Sequence, residues 1–162
     1  MSHQFDDQGA KYDLHGNLVD WWTPADAQNF QSRLDKLEQQ YNAYEPLPGM
    51  HVIGKLTMGE NVADLAGLTV AHDAYLASLG GKAAPVIGGL TGDQRFYLGW
   101  AQSWRAKSRE ERTLQLLTVD SHSPDEFRAN GAAINADGFH DSFGTRPGDR
   151  MYKPSGERIR IW

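Results

Sequence analysis

The 162 residues contain no cysteine. Disulfides and thiolate metal sites are excluded, so a metal such as zinc has to be held here by histidine and carboxylate. The redox compartment stays open, because a cysteine-free chain folds equally well inside or outside a cell. No run of eighteen apolar residues exists, so no membrane-spanning segment is expected in this chain. The first residues also lack the basic-then-apolar layout of a signal peptide. Charge of one sign does not dominate either: 16 Lys and Arg stand against 21 Asp and Glu, for a net charge of −5. The one dense basic cluster, Arg105 to Arg112, is interrupted by Glu110 and Glu111. That is not the footprint of a nucleic-acid binder, and no nucleic-acid partner is expected. What is there is 40% hydrophobic and 23% charged residues, the profile of a globular chain long enough to bury a core as one domain. No internal repeat or low-complexity stretch interrupts it.

Helix signals follow one another along the chain. KYDLHGNLVDWW alternates around His15-Gly16-Asn17 and predicts a short hairpin or an extended loop with a tight turn. Thr23 is placed as an N-cap, with Pro24 in the first helical position and Asp26 completing a capping box. Phe30, Leu34, Leu37 and Tyr41 carry that helix to about Tyr44, where Pro46, Pro48 and Gly49 stop it. HVIGKL is expected to be briefly extended. A second helix covers roughly Gly59 to Leu79 and closes at Gly80-Gly81. Thr91 with Gln94 caps a third, carrying Phe96, Leu98, Trp100, Ala101 and Trp104. Ser108 with Glu111 starts a fourth that ends near Leu117. Ser123, Pro124 and Glu126 form another capping signature. A short helix around Phe139 to Phe143 and an irregular tail complete a mainly α fold.

Two stretches carry the chemistry. SHQFDDQG places His3 just ahead of Asp6 and Asp7. GENVADLAGL places Glu60 and Asp64 four residues apart, on one face of a helix. A single histidine means little, and an acidic pair at this spacing is usually a solvated helix face. Here, however, Val62, Ala63, Leu65, Ala66, Leu68, Val70 and Ala71 make the helix apolar nearly all round, which predicts burial. Buried carboxylates need a cation or strong donors to stay charged, so either a metal or an ion-pair network is expected beside them. Taken singly, His122 before Ser-Pro reads as a turn residue, Arg128 as an ion-pair partner and Trp104 as plain core. His15, His51, His72 and His140 match no motif and are left structural.

Together SHQFDDQG, GNLVDWWTP, GKLTMGENVADLAGL, DSHSP followed by FR, and the terminal RIRIW resemble the neprilysin / endothelin-converting-enzyme family of zinc metallopeptidases, in the family's order and approximate spacing. The resemblance implies a thermolysin-like (gluzincin) catalytic domain that hydrolyses peptide bonds with zinc-activated water. It assigns His3 as the second histidine of HExxH and Glu60 as the third zinc ligand. It assigns Asp64 to orient a liganding histidine from behind, with Asp6, in preference to Asp7, in a similar role. His122 is implied to stabilise the oxyanion and Arg128 to grip a substrate carbonyl. Trp104, with Ser103 beside it, resembles the wall of the pocket for the side chain after the cleaved bond.

By that resemblance the first histidine and the glutamate of HExxH fall ahead of Met1, which takes the motif's third position. Residues 1–162 are then expected to be the C-terminal part of a catalytic domain, truncated on its N-terminal side. Peptide substrates and the missing N-terminal part are the partners implied. With His3 and Glu60 alone, two zinc ligands remain of three and the general base is absent, so the chain by itself is expected to be inactive and to bind zinc weakly or not at all. The alternative is a non-catalytic remnant acting as a binding or interaction module. Family members are both exported and cytosolic, which leaves the parent periplasmic or extracellular on one reading and cytoplasmic on the other.

Overall fold

A computed structural model describes residues 2–161, with only the backbone at Ser2. The expected places of Met1 in the zinc motif and of Trp162 at the end of RIRIW lie outside the described residues. Six α-helices are found among them: α1 (Pro24–Asn42), α2 (Met58–Ser78), α3 (Gly92–Ser103), α4 (Glu110–Val119), α5 (Asp125–Ala133) and α6 (Asp137–Phe143). Short 3-10 turns cover Ser2–Phe5, Gly9–Lys11 and Ser155–Glu157. The described residues contain no strand. The expected hairpin reduces to one antiparallel bridge, Tyr12 with Leu18, closed by a turn in which Gly16 takes a φ of 79°. HVIGKL is irregular rather than extended, and turns directly into α2.

The helix boundaries follow the capping chemistry, with three corrections. At α3 the Thr91–Gln94 box closes in both directions. At α1 only half of the box forms: the Thr23 hydroxyl accepts from the Asp26 N–H but gives its own proton to the Asp26 carboxylate, 2.6 Å away. The fourth helix begins after Arg109, not Ser108, and runs on to Val119. The third correction concerns Ser123, which does not cap α5. Pro124 holds the N-cap position there, while the Ser123 hydroxyl is buried and donates to Asn61 Oδ1 on α2 at 2.8 Å.

Helix α2 is the axis of the molecule, packed against α1, α5 and the Ser2–Phe5 turn. Its Val62 and Leu65 join Leu34, Leu37, Tyr41, Val52 and Leu117 in the main apolar cluster. Leu68 belongs to a second cluster with Tyr97, Ala132 and Ala133. The tail enters the first cluster by simple alternation: Ile159 and Ile161 turn inward, while Arg158 and Arg160 turn out to the Asp137 carboxylate at 2.6 Å each. The expectation that α2 is buried along its length holds only for its first part. Beyond Leu68 only one side stays covered: His72 and Tyr75 pack on Phe96 of α3, while Val70 is 63% and Leu76 43% exposed.

Candidate active site

The site forms where the first turn of α2 meets three other segments. The turn carrying His3 approaches α2 over Gly59, where an added Cβ would lie 3.2 Å from Asp6 Oδ2 and from Asp7 Oδ1. A glycine directly before Glu60 thus lets the histidine loop sit on the helix start. Asp6 is 5% exposed and organises that loop, its Oδ1 accepting from the backbone N–H groups of Gln8 and Gly9. Its Oδ2 lies 2.8 Å from His3 Nδ1. The carboxylate fixes the ring's tilt and leaves Nε2 facing Glu60 Oε1, 3.4 Å away. Asp7 turns elsewhere, its Oδ2 accepting from the Gln8 side chain.

The other Glu60 oxygen faces two further groups. His122 Nε2 lies 3.3 Å and Arg128 Nη2 3.2 Å from Oε2. His122 is held by its own loop, because Asp120 Oδ1 sits 2.7 Å from His122 Nδ1 and also accepts from the His122 N–H. Those hydrogen bonds from His122 keep the Asp120 carboxyl below its ordinary range. Arg128, one turn into α5, gives Asp64 a two-pronged grip: Nε to Oδ2 at 2.7 Å and Nη2 to Oδ1 at 2.8 Å. Burial pushes the Asp64 carboxyl up, and the Arg128 hydrogen bonds pull it part of the way back. The guanidinium also lies over the Trp104 ring, 4.0 Å from its centroid.

His3, Asp6, Glu60, Asp64, His122, Arg128 and Trp104 therefore gather in one cluster around Glu60 and Asp64. Ser103 does not join them: its hydroxyl turns back to the Gly99 carbonyl of its own helix at 3.1 Å. Asp64 bonds Arg128 among the described residues; the motif's first histidine, which it was expected to orient, falls ahead of them. Sequence reasoning missed Asp120, although its place two residues before His122 was a readable signal. It also missed Asn61, hidden inside an apolar run. Among the described residues no three histidine, aspartate or glutamate side chains are arranged to hold a metal ion. The two donors present nevertheless suit zinc. Tetrahedral coordination with bonds of about 2.0–2.1 Å separates neighbouring ligand atoms by about 3.3 Å, and His3 Nε2 and Glu60 Oε1 stand at 3.4 Å.

A histidine and a carboxylate at the spacing of zinc ligands, beside a second histidine and an arginine, are side chains of the kind a metallopeptidase site uses. Comparison with known proteins makes the assignment specific. The model of peptidase family M13 matches residues 1–159, and the chain belongs to that family, the neprilysin and endothelin-converting-enzyme family of zinc metallopeptidases. It is 34% identical to Neprilysin-3 of Drosophila melanogaster and 36% identical to human endothelin-converting enzyme 1, in each case over all of this chain and 21% of the relative. Among solved structures it resembles the inhibitor complex of the Mycobacterium tuberculosis zinc metalloprotease ZMP1, with TM-score 0.97 and 51% identity over 99% of this chain and 25% of that one. PepO from Lactobacillus rhamnosis HN001 gives 0.83 and 37% over 99% and 24%. The chain thus spans about a fifth to a quarter of the proteins it matches.

Proposed function

We propose that this chain is the C-terminal part of the catalytic domain of a longer zinc metalloendopeptidase, and that the whole protein hydrolyses peptide bonds in peptide substrates. The observation that carries this reading is the crowding of Glu60, whose two oxygens separately face His3 Nε2 and His122 Nε2 at 3.4 and 3.3 Å. His3 and Glu60 are the ligands this chain contributes, with Asp6 fixing the His3 ring. A bound zinc ion supplies Lewis acidity towards the carbonyl and a hydrolytic water at neutral pH. His122, its ring set by Asp120, directs Nε2–H at the carbonyl oxygen as that oxygen gains charge. Arg128 keeps Asp64 with Nε and Nη2; its Nη1 makes no hydrogen bond among the described residues and is the donor for a backbone carbonyl of the substrate. Trp104 backs the guanidinium and walls the adjoining side-chain pocket. Asp64, by holding Arg128, shares in substrate binding, and its second role is towards the first histidine of HExxH.

The remainder of the protein is the second partner. A groove of about 550 Å³, lined by Ala10, Leu18, Val19, Leu34 and Met58 among others, lies beside the histidine loop and gives that remainder an apolar surface to cover. The ligand count sets the 162 residues alone apart from the whole protein. Two of three ligands and no general base make a weak, inactive site, so this piece by itself acts, if at all, as a binding module. Calorimetric titration with zinc tests both statements. The 162-residue chain should bind feebly and cleave no test peptide, while the full-length protein should bind one zinc tightly and lose peptide cleavage to a chelator. Tight one-to-one zinc binding by the short chain, with cleavage that a chelator abolishes, would contradict the proposal.

A further inference from the structure

A chain of buried hydrogen bonds with no part in the chemistry proposed so far runs directly beneath the site. The Ser123 hydroxyl donates to Asn61 Oδ1 at 2.8 Å, Asn61 Nδ2 donates to Thr57 Oγ1 at 2.8 Å, and Thr57 Oγ1 donates to the Ile53 carbonyl at 3.3 Å. Asn61 is fully buried, Ser123 is 2% exposed and Thr57 3%. Each group donates onward in one direction, so the bonds reinforce one another in a medium of low dielectric. An amide in an apolar helix is costly to desolvate unless it is fully bonded. An aliphatic side chain would fill the same space without that cost.

The placement of the chain explains why an amide stands there. Asn61 directly follows Glu60, and Ser123 directly follows His122. The pair Glu60–His122, at 3.3 Å, is thus the outer rung of a ladder whose inner rung is the buried pair Asn61–Ser123. Asp120 sets the rotation of the His122 ring but lies in the same loop, so it cannot set how far that loop stands from α2. The Asn61–Ser123 bond links positions 62 apart in sequence and does set that distance. We propose that Asn61, bonded to Ser123 on one side and Thr57 on the other, is a positioning residue that fixes His122 over the metal-binding end of α2. The proposal rests on the reading of His122 as the donor to the developing negative charge.

The test is steady-state kinetics of the full-length protein on a fluorogenic peptide, with zinc content measured for every variant. Ser123→Ala is expected to lower kcat by about ten- to a hundredfold, the loss typical of a misplaced group, with KM and zinc content nearly unchanged. Ser123→Thr keeps the hydroxyl and should recover most of the loss. In a His122→Ala background the same Ser123→Ala change should cost little more, because the ring it positions is gone. A purely structural role would instead repeat the full loss in that background, and that result overturns the proposal. So does a Ser123→Ala enzyme with kcat within about twofold of the parent. Thr57→Val is nearly isosteric and breaks the outer link, and should lower kcat by a smaller factor in the same direction. If Ser123→Ala does not fold, an unchanged kcat in Thr57→Val overturns the proposal on its own. An unchanged kcat in His122→Ala itself would instead sink the reading of His122, and the proposal with it. Loss of kcat in His122→Ala without loss in Ser123→Ala defeats the positioning proposal alone.

Discussion

The two parts of α2 have similar apolar content and opposite fates. From Met58 to Leu68 the helix is enclosed by α1, α5 and the Ser2–Phe5 turn, and even Asn61 and Asp64 are buried there. From Val70 to Leu76 the same helix carries Val70, Ala71, Ala74, Tyr75 and Leu76, yet Val70 is 63% and Leu76 43% exposed. Composition sets what a helix can bury, but neighbours set what it does bury. The enclosed part can keep Asp64 because α5 supplies the Arg128 guanidinium, so burial and function coincide at one end of one helix.

The largest effect expected along this contrast is in catalysis. In the full-length protein, His122→Ala should lower kcat by about a hundred- to a thousandfold while KM changes far less, as for the loss of one oxyanion donor. Steady-state kinetics read this directly. Next comes Arg128→Met, which strands the buried Asp64 carboxylate. It should cost about 3 kcal/mol of stability, seen as a lowered denaturation midpoint, and weaken peptide binding as well. Leu65→Ala in the enclosed part should cost about 2.5 kcal/mol through the cavity it leaves. Leu76→Ala in the more exposed part should cost clearly less, about 1 kcal/mol or below. Equal losses at Leu65 and Leu76 would break the comparison between the two parts of the helix.

The smallest effect is a pH dependence at the tail. Hydrogen bonds from Arg158 and then Arg160 hold the Asp137 carboxyl below its ordinary value of 3.8. Because the folded value is depressed, the stabilisation is fully present above pH 3.8 and fades as pH falls through the lower folded value. Melting temperature followed from pH 5 downwards should therefore fall less steeply in Asp137→Asn. Asp137 is half exposed, so solvent screening keeps the difference small.

The amino-acid sequence by itself determined the helices, because their signals are local: Thr91 with Gln94, Thr23 ahead of Pro24, and paired glycines at 80 and 81 act over one turn of chain. It also determined the family, through several short blocks in a fixed order, and it named most of the residues that gather around Glu60, though not Asp120 or Asn61. Where a side chain had both a local and a distant partner, the tertiary structure decided. Ser123 reads as a cap because the nearest amides are its own, but folding offers it Asn61, and a buried amide left without partners would cost more than an uncapped helix end. Asp64 is expected beside a cation or strong donors, and folding supplies two of the Arg128 nitrogens, a pairing between positions 64 apart in sequence that no local spacing reveals. Which end of α2 is covered was likewise decided in three dimensions, since hydrophobic residues call for a neighbour without specifying one.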